Sequence, residues 1–233
     1  MSGPTLHASR AAAWLSHLVY ETAYLGAAAC MTLGWSLRTH GRHNIPQVGP
    51  ALLIANHQSF IDPLLVGLST RRHLCFLARK TLFKRPLFTW LLRMLNAVPI
   101  DQEGVGKDGI KTILEQLQLG QAVVIFPEGH RTKHGALQPL MPGVLLLIKR
   151  TQAPIVPVGI AGAYDAWPPW RKYPIPSPLF LPSCRGSIAV SIGVPTVASR
   201  IAQLPREQAL RELSQLIDTE QRRAELFRNG AQS

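Results

Sequence analysis

Residues 51–68 read ALLIANHQSFIDPLLVGL, and the change of character inside them sets the architecture. Ala51 to Ala55 is a short apolar run with no helical period, bounded by Gly49-Pro50 and by Asn56, which predicts a buried strand. Asp62 followed by Pro63 then predicts a helix start, with Asp62 as the N-cap, proline in the first helical position and LLVGL in the helix body. A strand passing into a helix through a polar turn is the first half of a strand–helix–strand crossover. The turn also holds a histidine, His57, close to the Asp62 carboxylate. Such a histidine is either a structural hydrogen-bonder or a catalytic base with its orienting partner, and Asp62 is either a helix cap, that partner, or both.

The same strand-then-helix pattern recurs downstream. HLCFLA at 73–78, Ala97 to Ile100, AVVIF at 122–126, PIVPVGI at 154–160 and IAVSI at 188–192 predict further strands. A helix is predicted from about Thr81 to Asn96, broken or kinked by Pro86. Another carries Ile110, Ile113, Leu114 and Leu117 at helical spacing and stops at Gly120. Leu140 to Lys149 and Arg206 to Arg228 complete the set, the last with Leu210, Leu213, Leu216 and Ile217 on one side. Strands and helices alternating in this way predict an α/β fold whose mostly parallel or mixed sheet is flanked by helices. Ala161 to Arg185 departs from the pattern: six prolines between 168 and 182, with Trp167, Trp170 and Tyr173, predict an irregular excursion.

At 233 residues the chain suits one domain with a substantial core, and 46% hydrophobic residues against 16% charged exclude a largely disordered chain. The cysteines, Cys30, Cys75 and Cys184, have neither metal-ligand spacing nor the pattern of a disulfide framework. Lys and Arg outnumber Asp and Glu 25 to 13, a net charge of +12 that implies a polyanionic partner. Between Arg71 and Arg93 there are seven basic residues and no acidic one, interleaved with Phe76, Phe83, Phe88 and Trp90, a mixture suited to an anionic membrane interface. No nucleic-acid recognition motif accompanies the charge. Ala11 to Leu37 is apolar and aromatic, but its longest uncharged stretch after Glu21, Thr22 to Leu37, is short for a spanning helix. An N-terminal hydrophobic, membrane-associating helical segment that lies in the interface is therefore expected.

The second polar segment, FPEGHRTKHG at 126–135, follows the AVVIF strand and gathers Glu128, His130, Arg131, Lys133 and His134 at a strand's carboxyl end, where open α/β sheets bind ligands. His130 and His134 are bracketed by Gly129 and Gly135 and have no suitably spaced acidic ligand, so no metal site is assigned. The chain lacks a serine-nucleophile elbow, a phosphate-cradling P-loop and a dinucleotide fingerprint. A histidine base beside an aspartate, with cationic groups nearby, suits proton abstraction from a hydroxyl on an anionic substrate.

These segments resemble the glycerolipid acyltransferases, the family that includes the 1-acylglycerol-3-phosphate acyltransferases. NHQSFID is similar to its HxxxxD signature, FPEGHRTKHG to its FPEGTRS-type block and VPVGI at 156–160 to its final VPV block, in the same order and with similar separations. The resemblance spans roughly residues 40 to 195. It implies transfer of a fatty acyl group from an acyl-CoA or acyl-carrier-protein thioester to the hydroxyl of 1-acylglycerol-3-phosphate or another lysophospholipid, without a cofactor. By the same resemblance His57 is the general base and Asp62 orients it, Glu128, Gly129 and Arg131 bind the acceptor, and Arg131 holds its phosphate. It also implies residence on the cytoplasmic membrane, peripheral or monotopic on the cytoplasmic face, with residues 1–37 the membrane-associating segment and 38–233 the catalytic domain.

The chain departs from the family pattern where acceptor specificity is set. Gln102 stands where the family commonly has a phosphate-contacting arginine, and His130 replaces a threonine between Gly129 and Arg131. A glutamine amide offers only neutral donors where arginine offers two charge-assisted bonds. An amino-acid-derived lipid is therefore an alternative acceptor, and a non-enzymatic membrane-binding protein on the same fold is the alternative from another class.

Overall fold

A computed structural model describes residues 21–84, 89, 96–100, 107–179 and 186–229. Residues 21–35 form helix α1, followed by strand β1 (Arg38–His40), β2 (Ala51–Ala55), helix α2 (Asp62–Thr70) and β3 (Leu74–Arg79). Then come β4 (Ala97–Ile100), α3 (Lys107–Gln118), β5 (Ala122–Ile125), α4 (Gly143–Ile148) and β6 (Ile155–Ala161). A short α5 (Ala163–Ala166), β7 (Ala189–Ile192), α6 (Ala198–Ala202) and α7 (Arg206–Arg228) follow. The strands form one sheet in the order β1-β7-β6-β2-β5-β3-β4.

β2 sits near the centre because it pairs in parallel with both β5 and β6. Each of its five residues is fully buried, and they alternate between two cores. Leu52 and Ile54 face the layer that contains Ile113 of α3, Leu147 of α4 and Leu213 of α7. Ala51, Leu53 and Ala55 face the layer that contains Met31 of α1 and Leu65 of α2. That period-two division is what a strand covered on both faces requires, and each fully buried Leu or Ile contributes about 1.5–3 kcal/mol. The sheet is mixed, since β7 runs antiparallel to β6 and β1 follows β7 in parallel.

The structure amends the sequence reading in particular places. β1, with the sequence RTH, has no strand signature and exists through its pairing with β7. The helix expected over 140–149 is limited to Gly143–Ile148. Lys80–Lys84 form a 3-10 turn instead of opening an α-helix, and most of the segment to residue 95, Pro86 included, lies outside the described residues. Among the described residues, up to 179, the excursion after β6 is irregular apart from α5. Helix α3 does stop as Gly120 predicts: that residue adopts φ +76° and its N–H donates to the Leu117 carbonyl. Among the described residues no helix is long and apolar enough to cross a membrane.

Helix α7 closes against β6 and β7 at Gly159, where a Cβ would overlap the backbone of Glu220 and Gln221. Gly159→Ala should therefore push the helix off the sheet and destabilise the protein by about 1–3 kcal/mol or more, read as a lower urea midpoint at unchanged m-value. A midpoint equal to wild type would mean that the helix is free to shift.

Candidate active site

Three loops meet at the carboxyl end of the sheet, and side chains bonded to main chain hold them in register. Asn56, the residue after β2, donates from Nδ2 to the Ile160 carbonyl (2.9 Å) and accepts the Ile160 N–H at Oδ1 (2.7 Å). It thereby extends the β2–β6 ladder with a side chain. Gln58 joins the other two loops: its Nε2 donates to the Gly135 carbonyl at 2.9 Å and its Oε1 accepts the Tyr164 N–H at 3.3 Å. The sequence reading gave neither residue a role. A polar residue at the end of a wholly apolar strand was the available signal, because a buried amide must find partners.

His57 and Asp62 are brought together, with Nδ1 of the imidazole 2.7 Å from Asp62 Oδ2. The same oxygen accepts the amides of Gln58 at 2.5 Å and Ser59 at 2.7 Å. This corrects the expected cap. Asp62 is the first helical residue, the N-cap position is Ile61 with no side-chain cap bond, and the carboxylate turns back into the preceding loop. Asp62 is fully buried, whereas the His57 side chain retains 19% exposure. The imidazole stacks on Phe126, ring centroids 4.2 Å apart. A carboxylate oxygen that already accepts two amides can only accept from Nδ1, so the proton sits there and Nε2 carries the lone pair. The pair can take a proton from a hydroxyl and stabilise the resulting imidazolium.

Glu128 lies beside this pair but is not open to a ligand. It is 1% exposed, and its Oε1 accepts the His57 amide at 2.6 Å while Oε2 accepts the Gln138 amide at 2.7 Å. The Thr132 N–H returns a bond to the His57 carbonyl at 2.8 Å, so the β2 and β5 loops are linked in both directions. Burial pushes the Glu128 carboxyl up to about 7, against the two amide bonds that hold it down. Gly129 makes the turn at φ +75°, where a Cβ would strike the Met141 sulfur. The Arg131 guanidinium lies over the Phe60 ring, 3.6 Å from its centroid, and Phe60 is itself more than half exposed. His130 is exposed, and Gln102 lies outside the described residues. His57, Asp62, Glu128 and Arg131 thus converge, with Phe60, Phe126 and Gln138 as neighbours that spacing alone did not mark.

Residues 36–161 match the family described as Acyltransferase. The chain belongs to that family. It is 25% identical to a 1-acyl-sn-glycerol-3-phosphate acyltransferase of Bacillus subtilis over 189 residues, 81% of this chain and 87% of that protein. A chloroplastic 1-acyl-sn-glycerol-3-phosphate acyltransferase of Brassica napus is 30% identical over 131 residues, 55% of this chain but 38% of the plant protein. The crystal structure of the 1-acyl-sn-glycerophosphate acyltransferase PlsC from Thermotoga maritima superposes with a TM-score of 0.65 at 26% identity, covering 82% of this chain and 71% of that one. The protein is an acyltransferase of lipid metabolism, and its His57-to-Asp62 segment is the family's HxxxxD motif.

Because each Glu128 oxygen faces an amide N–H, Glu128→Gln must set its own NH2 against the His57 or Gln138 donor. Leaving that buried donor unpaired should destabilise by about 1–3 kcal/mol and lower kcat by displacing the His57 backbone. The sign with pH follows from the raised carboxyl: the native state holds the proton more tightly than the unfolded chain. Glu128's contribution is therefore full below its ordinary value near 4.5 and declines as pH rises towards about 7. Urea titrations should show the gap between wild type and Glu128→Gln narrowing over that window. A gap that widens would mean the amide bonds outweigh burial.

Proposed function

We propose that the protein transfers a fatty acyl group from an acyl-CoA or acyl-carrier-protein thioester to the free hydroxyl of 1-acylglycerol-3-phosphate, forming phosphatidic acid. The carrying observation is the 2.7 Å His57–Asp62 contact, with the ring partly exposed and the carboxylate buried. The names of the bacterial and plant relatives support the acceptor. His57 Nε2 removes the acceptor hydroxyl proton as that oxygen attacks the thioester carbonyl. The tetrahedral intermediate collapses, the carbon–sulfur bond breaks, and the Nε2 proton passes to the departing thiolate. Asp62 keeps the proton on Nδ1 in the resting state and faces the positive charge that develops on the ring. Arg131, held against Phe60 beside this loop, is the cation assigned to the acceptor phosphate. Glu128 and Gly129 act on the acceptor indirectly, by shaping the loop that carries Arg131.

Residues 1–37 are proposed as the membrane-associating segment and 38–233 as the catalytic domain, attached peripherally or monotopically to an anionic cytoplasmic face. Tyr24, Ala27, Ala28 and Trp35 of α1 pack on the core, whereas Leu25 and Leu33 are more than half exposed. No formally charged residue lies between Thr22 and Leu37. An apolar outer face with no charge suits an interfacial helix.

His57→Ala should reduce kcat by about 10²–10⁴-fold in a protein that still folds, its melting point lowered because buried Asp62 loses one of its three partners. Unchanged turnover across acyl-CoA and acyl-carrier-protein donors would remove His57 from the mechanism. An acceptor panel tests Arg131 separately. Arg131→Ala should raise KM for 1-acylglycerol-3-phosphate by roughly 10–100-fold, the equivalent of losing one charge-assisted contact, and leave the thioester KM unchanged. Equal effects on phosphate-bearing and phosphate-free acceptors would make its role structural.

A further inference from the structure

The proline-rich excursion after β6 is hydrogen-bonded to the end of α1. The Trp35 indole donates to the Ile175 carbonyl at 2.9 Å, and the Ser36 hydroxyl donates to the Ser177 carbonyl at 2.7 Å. The Ser177 and Leu179 amides donate to the carbonyls of Gly34 and Leu33 at 2.8 and 3.1 Å. Leu179, 46% exposed, is thereby held beside Leu33, 51% exposed, so the outer surface of the helix continues onto the loop. Further along the loop Trp170 and Tyr173 are 67% and 68% exposed, with Arg171 and Lys172 between them, both exposed. The Lys172 ammonium lies 5.3 Å from the Tyr173 ring centroid.

Aromatic rings flanking a pair of cations, joined to an apolar surface, are the chemistry of a lipid headgroup layer. Tyr and Trp sit with an apolar body inside and a polar edge in water, while Arg and Lys meet anionic headgroups. We propose that Trp170–Tyr173, together with Leu179, forms a second membrane-contact element, continuous with α1, that seats the carboxyl end of the sheet on an anionic bilayer. This rests on the membrane attachment proposed above. The loop also reaches the active site: the Ser59 hydroxyl donates to the Trp167 carbonyl at 2.6 Å, and Tyr164 makes an edge contact with Trp170 at 5.2 Å. Seating the loop therefore fixes the height of the His57 loop above the lipid from which the acceptor arrives.

The test is partitioning of the full chain onto anionic and zwitterionic phosphatidylcholine-based vesicles, with turnover measured on bilayer-embedded and on monomeric short-chain lysolipid. Arg171→Gln with Lys172→Gln should weaken binding to anionic vesicles about 25-fold, roughly fivefold for each charge, and leave zwitterionic binding unchanged. Trp170→Ala with Tyr173→Ala should weaken both, and lower turnover only on the embedded acceptor. A folding defect is separated by Trp170→Phe, which keeps a ring against Tyr164: brominated lipids should quench a smaller share of its emission than of wild type. Failure of the wild type to bind either vesicle overturns the attachment itself. Wild-type binding with equal binding by both double variants overturns the second element alone. Intact lipid binding with loss of activity confined to the acyl-carrier-protein donor would make the patch a carrier-protein dock and overturn the lipid assignment.

Discussion

A carboxylate at zero exposure constrains everything around it. Asp62 must recover in the fold the hydration that it loses, and removing a carboxylate from water costs several kcal/mol unless charge-assisted bonds offset it. Its Oδ2 gathers three partners, the His57 ring and the amides of Gln58 and Ser59, while Oδ1 has none among the described residues. Three donors converge on one atom only if residues 57–59 curl around the first turn of α2. That curl fixes the imidazole's tautomer and directs the His57 amide away from Asp62, towards a second acid.

Glu128 is that second acid, and it solves the opposite problem. Asp62 concentrates donors from one loop on one oxygen; Glu128 divides its oxygens between two loops, accepting His57 on one and Gln138 on the other. Such a bridge requires the loops to leave adjacent strands. The order β6-β2-β5 provides that adjacency, and Asn56 performs the matching fastening towards β6. The site is thus held chiefly by side chains satisfying main-chain groups, a rigid arrangement because backbone at the end of a sheet has little freedom to follow a displaced partner.

Elements with a local signal are readable from the sequence. ALLIA and AVVI read as buried strands and are, and Arg206–Arg228 forms the helix that its leucine spacing predicts. Features decided by distant partners are not. β1 is a strand because β7 lies beside it, and the antiparallel turn of β7 follows from a long excursion whose sequence specifies irregularity but not direction. In the site, spacing brought His57 and Asp62 together but could not say which way the Asp62 carboxylate turns. An Asp-Pro pair reads as a cap when the donor amides follow it, and here they precede it. The resemblance of its block assigns Glu128 to the acceptor; only packing reveals that both its oxygens are occupied by amides.

The division between fixed and variable parts has a chemical consequence. Among the described residues, the hydrogen bonds that orient His57 run through Asp62, Glu128 and main chain. His130 stands exposed, and the Arg131 guanidinium is braced by the Phe60 ring. On the proposed reading, changing those side chains alters what an acceptor meets without disturbing how His57 is held. A threonine-to-histidine exchange at position 130 is therefore compatible with an intact His57–Asp62 pair, because the bonds that hold the pair do not involve that side chain. If the proposed roles hold, a frame of this kind lets the acceptor headgroup change by substitution at the rim while proton transfer stays tied to the β2 loop.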